Sequence, residues 1–112
     1  MKSKIFLAIG LLVLSFSAAA DFKTVSRAYE VVLRDFRAPT TPNSVAFIKT
    51  CSSCDTMQLR VTPDTRYVVN GQPVTLKEFR DSVSQVNRRR AVPVIVLHHL
   101  ESDTVVSISL TN

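Results

Sequence analysis

Tyr67-Val68-Val69-Asn70-Gly71-Gln72-Pro73-Val74-Thr75-Leu76-Lys77-Glu78-Phe79 is the stretch from which the fold is read. Tyr67-Val68-Val69 is a short β-branched strand. Asn70-Gly71 is a two-residue hairpin turn, because both residue types tolerate positive φ. Thr75 and Glu78 then form a capping box, T-x-x-E, in which each residue satisfies a free donor at the start of a helix. Val74 and Phe79 stand where a hydrophobic staple joins the chain before the helix to its first turn. The spacing predicts a helix over residues 75–87, with Leu76, Phe79, Val83 and Val86 as its buried stripe. Arg88-Arg89-Arg90 follows, where cations suit the negative end of the helix dipole.

Downstream, Val92 to Leu97 is a dense β-branched run and predicts an interior strand buried on both faces. Pro93 must lie near its start, since proline cannot donate within a central ladder. Glu101-Ser102-Asp103 is a turn, and Val106, Ile108 and Leu110 alternate with serines as a last strand. Upstream, Val45-Ala46-Phe47-Ile48 reads as a strand. Met57, Leu59 and Val61 alternate with polar residues as another, and Pro63-Asp64 is a turn. Further upstream, Phe22, Val25, Tyr29, Val32, Leu33 and Phe36 recur on one face at a 3.6-residue period. This predicts an amphipathic helix over residues 22–37, stopped by Pro39. A Pro- and Thr-rich loop follows over residues 38–43. The order α-β-β-β-α-β-β implies an α+β domain: a mostly antiparallel sheet of four to five strands with two helices packed on one face.

The first 20 residues read as a cleaved signal peptide. Lys2 and Lys4 supply a positive start, Ile5 to Leu14 an apolar run, and Ser17-Ala18-Ala19-Ala20 the small residues before cleavage at Asp21. The run is about half the roughly 20 residues that a membrane-spanning helix needs, so no stable anchor is expected after cleavage. Residues 21–112 are then one small domain of a periplasmic or secreted protein. Losing the two leader lysines lowers the formal charge from +5 to +3. A charge of that size, spread along the chain, is no nucleic-acid footprint.

Cys51-Ser52-Ser53-Cys54 is the only reactive constellation in the sequence. In an oxidising compartment an even cysteine count is read first as a disulfide. With strands on both sides, Ser52-Ser53 is the tip of a tight hairpin that a Cys51–Cys54 bridge rigidifies. A redox-active dithiol is the second reading, with Cys51 as nucleophile and Cys54 resolving. It requires Cys51 at a helix N-terminus, where the dipole lowers the thiol pKa. Val92-Pro93-Val94 resembles the proline-led core strand of thioredoxin-like proteins. However, Asp55 to Val61 has a period of two where that family has its active-site helix, and Thr50 stands in place of the usual aromatic. The third reading is a metal site in which His98 joins Cys51 and Cys54. Adjacent strand residues point to opposite faces, so His98 and His99 cannot both take part. The plainer expectation for the pair is a strand end emerging into solvent.

Arg88, Arg89 and Arg90 are the other candidates, as a contact for an anion or an acidic partner, against the plainer reading of solvated charge at a helix end. There is no Gly-rich phosphate loop, paired acid or Ser/His/Asp arrangement, and no cofactor is called for.

From Leu59 to Leu97 the order strand, turn, Val69-Asn70-Gly71-Gln72-Pro73-Val74, capped helix and Val92-Pro93-Val94-Ile95-Val96 resembles the periplasmic domain of the ExbD/TolR biopolymer-transport family. The resemblance implies a periplasmic βαβ core used for protein contacts, and no functional residue is carried over from it. That family keeps an N-terminal anchor, whereas the apolar run here is short and followed by a cleavage site. The sequence thus predicts a non-enzymatic, exported interaction module whose partner is another envelope or secreted protein. Thiol-disulfide exchange and metal binding are the alternatives.

Overall fold

The computed structural model describes residues 25–112. The expected leader lies outside them, as do the first residues of the expected N-terminal helix. Among the described residues eight strands and one α-helix follow in order: β1 (Ser26–Val32), a 3-10 turn (Leu33–Asp35), β2 (Phe36–Arg37), β3 (Val45–Ile48), β4 (Met57–Arg60), β5 (Arg66–Val69), β6 (Gln72–Val74), α1 (Leu76–Ser84), β7 (Pro93–His99) and β8 (Thr104–Leu110).

The strands form two sheets, one ordered β1-β7-β8-β5-β6 and the other β2-β3-β4. The larger is antiparallel except where β5 runs parallel to β8. β6 and β7 therefore run in the same direction, and α1 connects them across the two strands between. The domain is α+β, as the sequence indicates. Its architecture corrects the expectation of a single sheet under two helices: the described residues form two sheets, one helix and a lone 3-10 turn.

The missing helix has a clear cause. Residues 25–33 satisfy two patterns at once, because Tyr29, Val31 and Leu33 alternate with Ala28, Glu30 and Val32 as well as lying near one helical face. Valine and tyrosine fit a pleated surface, and β7 offers a long edge. The chain pairs with it through seven residues, from Ser26↔His99 to Val32↔Pro93. This puts Tyr29 and Val31 opposite Val96 and Val94, which are fully buried. Leu33, also fully buried, takes the 3-10 turn, and its N–H donates to the Val92 carbonyl at 2.8 Å.

The hairpin and helix start are as expected. Asn70 and Gly71 have φ of 52° and 80°. The Asn70 side chain also accepts from the Asn112 N–H at 2.8 Å, tying down the C-terminus. Both halves of the capping box are made: the Glu78 N–H donates to Thr75 Oγ1 and the Thr75 N–H to Glu78 Oε1, each at 3.2 Å. The helix ends at Ser84, three residues short of expectation, and Val86 reaches the core from the turn that follows.

Phe79 is fully buried and joins the layers. Its ring meets Phe36 of β2 edge-on at 6.2 Å and Tyr67 of β5 at 5.3 Å. β7 lies inside the large sheet, with Pro93 at its start. It is buried on one face only: Val94, Val96 and His98 face the core while Ile95 is 43% exposed. The interior position is as expected; burial on both faces is corrected.

The Tyr67 hydroxyl is buried without a partner. Burial pushes the phenol above the usual tyrosine range, because a low-dielectric setting disfavours the phenolate. The buried phenolate is penalised, so nothing is lost below about pH 10, the unfolded value, and stability falls as pH rises from there toward the folded value. Absorbance titration should show Tyr67 ionising above the ordinary tyrosine range. Tyr67→Phe, which keeps the ring and removes the orphaned hydroxyl, should be neutral or stabilising by up to about 1 kcal/mol in urea melts and should flatten the alkaline decline. By contrast, Phe79→Ala should cost about 3–5 kcal/mol and Thr75→Ala about 1 kcal/mol, read from the same denaturation curves.

Candidate functional site: a basic cleft beside the disulfide loop

Cys51 and Cys54 are disulfide-bonded, with Cα atoms 5.0 Å apart. They close one turn, in which the Cys54 N–H also donates to the Cys51 carbonyl at 3.2 Å. The turn caps the β3–β4 hairpin, as expected. It stands further from the strands than a tight hairpin requires, because the ladder ends at Ile48↔Met57. Lys49 and Thr50 on one side, and Asp55 and Thr56 on the other, separate the bridge from the sheet.

No helix opens at Ser52 or Ser53, and the chain runs from the turn into β4. A thiolate at Cys51 would therefore have no helix dipole behind it. Pro93 pairs with Val32 in the other sheet. The two elements that make a thioredoxin-like disulfide reactive are thus not assembled around this one.

His98 is 7% exposed and faces the core; the expectation of a strand end in solvent is corrected for it. Its Nε2 lies 2.8 Å from Asp103 Oδ1, which ties the β7–β8 turn to the strand. His99 points the other way, with Nδ1 2.9 Å from Ser102 Oγ. Among the described residues no three His, Cys, Asp or Glu side chains are grouped to hold a metal. Bridged sulfurs, moreover, offer no thiolate.

The arginines are where the structure adds most. Arg34 and Arg37, Lys49, and Arg89 come from three separate parts of the sequence and line one cleft of about 460 Å³. Asp35 is its only acid, and Phe36, Phe47 and Val83 supply its apolar wall. A second, more open depression of about 470 Å³ continues from it. The two share Arg34 and Arg89, and the second adds Arg88 and Arg90. All three arginines singled out from sequence thus belong to this face, joined by three further cations.

Backbone bonds build the cleft. The Arg34 N–H donates to the Arg89 carbonyl at 3.0 Å, and the Lys49 N–H to the Asp35 carbonyl at 2.9 Å. Arg37 pairs with Phe47 across β2 and β3. Arg89 also donates from Nη1 to the Val83 carbonyl at 3.1 Å, serving the end of α1 as the plainer reading expects. Asp35 offsets one of these charges, and its ion pair with Arg34 Nε, 3.6 Å long and at the surface, adds little stability.

Apart from the Arg89 bond to the end of α1 and the weak Arg34–Asp35 pair, such a group of cations repels itself. What it can do is hold anions. Guanidinium forks match carboxylate or phosphate oxygens in pairs of bonds, and Thr56 also lines the cleft. Arg34 and Arg37 are read from sequence as the solvent side of a helix, and Lys49 carries no signal at all. The cluster exists only once β1 pairs with β7 and carries the 3-10 turn past Arg89.

Comparison with protein families, with characterised proteins and with solved structures gave no match.

The disulfide encloses a very short loop, so little chain entropy is at stake. Replacing both cysteines, Cys51→Ser with Cys54→Ser, should lower stability by less than about 3 kcal/mol. Amide hydrogen exchange should speed up in residues 49–56 while β7 and β8 keep their protection.

Proposed function

We propose that this chain is an exported, non-enzymatic binding module that uses the basic cleft to grip an acidic partner, itself another envelope or secreted protein. The observation that carries this reading is the gathering of Arg34, Arg37, Lys49, Arg88, Arg89 and Arg90 around two adjoining depressions whose only acid is Asp35. Ordinary surface charge mixes signs, whereas a concave patch of one sign focuses its field and speeds encounter with the opposite sign. The Cys51–Cys54 bridge supports the oxidising compartment to which the leader points. The βαβ arrangement of β6, α1 and β7 is compatible with the ExbD/TolR resemblance and its implied role in protein contacts. In this proposal residues 1–20 are removed before Asp21, and residues 21–112 act as one unit in the periplasm or outside the cell.

Two measurements test the proposal. Protein recovered from the cell envelope without reductant should begin at Asp21 and contain no free thiol; a retained leader or two free thiols there would count against it. NMR titration of the mature chain with a glutamate oligomer at low salt should move the amides of residues 34–37, 49, 56 and 88–90 first. Equal movement around Arg60, Arg66 and Lys77 would reduce the cleft to ordinary solvated charge.

A further inference from the structure

The chemistry of the anion follows from the shape of the cleft, the number of its charges and what lies between them. Four cations and one carboxylate line the first depression, a local excess of three positive charges before Arg88 and Arg90 are added. One phosphate carries about −1.5 to −2 at neutral pH, so a single phosphate group leaves the cleft under-neutralised. The two depressions share Arg34 and Arg89, and the second adds the stems of Arg88 and Arg90. A multivalent anion matches the charge excess of the first.

Shape separates a flexible chain from a membrane surface. The first four cations line a concavity, and a flat array of lipid headgroups would meet its rim and leave the interior unfilled. The wall is also partly apolar. Phe47 is half-buried, stands opposite Arg37 across β2 and β3, and lines the cleft together with Lys49. An anion built only of phosphates has nothing to place against that ring.

We infer that the cleft takes an acidic peptide segment of a protein partner. Its carboxylates lie on Arg34, Arg37, Lys49 and Arg89, and one apolar side chain among them rests on Phe47. This rests on the reading of the cleft as the module's working surface and adds what the partner must present. Arg37 and Lys49 carry the charge recognition most cleanly, since Arg89 also serves the end of α1. Phe47 supplies the preference for an apolar residue within the acidic run.

The test uses the mature, disulfide-intact chain and four probes: a labelled peptide of glutamates around a central leucine, its all-glutamate counterpart, tripolyphosphate, and vesicles of mixed phosphatidylcholine and phosphatidylglycerol. Fluorescence anisotropy should show the leucine peptide binding about tenfold more tightly than the all-glutamate one, the gain expected from burying part of one leucine. Binding should weaken steeply with salt. Arg37→Glu or Lys49→Glu should each lower affinity for both peptides tenfold or more. Phe47→Ala should abolish the leucine preference while leaving the all-glutamate peptide bound, with circular dichroism confirming the fold; Phe47→Leu should retain the preference if Phe47→Ala fails to fold. Tighter binding of tripolyphosphate or of the vesicles, lost in Arg37→Glu, would overturn the peptide inference while leaving the cleft as the working surface. Absence of binding by every probe, or binding untouched by Arg37→Glu, would overturn both.

Discussion

Phe79 is the residue on which the rest of the architecture depends. It comes from the capped helix, and its ring lies against Tyr67 in the large sheet and Phe36 in the small one. Three elements that share no backbone ladder are thereby held at one point. The capping box explains why the contact forms reliably. With the Thr75 and Glu78 donors satisfied reciprocally, the helix start is fixed relative to the β5–β6 hairpin, and Phe79 follows one turn later on the inner side. A small domain of this size has little surplus core. Concentrating the joint in one aromatic cluster lets the small sheet, whose outer strand has only two residues, keep its place beside the large one.

That placement creates the cleft. Phe36 turns inward to meet Phe79, and its neighbour Arg37 is exposed beside Phe47. The 3-10 turn just before carries Leu33 into the core and leaves Arg34 at the surface, bonded through its backbone to Arg89. The energy that assembles the cations is therefore apolar and backbone in origin. Beyond the Arg89 bond to the Val83 carbonyl and the surface Arg34–Asp35 pair, little in the charges favours the arrangement, and the proposed anion would relieve their repulsion. A cluster formed for stability would be interleaved with acids, as the scattered Asp and Glu residues elsewhere would allow.

The parts of this fold legible in the sequence are those whose signals are local and chemical. Asn70-Gly71, the Thr75–Glu78 box, Pro93 at a strand start and the Cys51–Cys54 turn each depend on a few adjacent residues and were readable from them. The N-terminal segment was not. Its apolar residues fit a 3.6-residue period and a two-residue period alike, and the deciding factor was β7, some sixty residues away. The cost of that ambiguity reached the functional site. A helix over residues 22–37 puts Arg34 and Arg37 on a solvent face, whereas a strand and a 3-10 turn carry them to Arg89. Arg88 to Arg90 stood out because they are contiguous; their partners in the cleft are distant in sequence, and only strand register brings them together.

The disulfide and the cleft are linked through the same hairpin. Lys49 and Thr56, the residues that flank the β3–β4 loop, both line the cleft, and the bridge closes the turn between them. So short a crosslink contributes little to global stability, since the unfolded chain loses little freedom when it forms. Its effect is local. In the proposed binding mode it would shorten the free loop beside Lys49 and so reduce the entropy that fixing that side chain removes. A bridge that does little for the fold can still matter to recognition, because pre-organisation is set by the freedom of the few residues at the site. Placed on a turn rather than at a helix start, the CxxC pair also lacks the dipole that would turn Cys51 into a nucleophile.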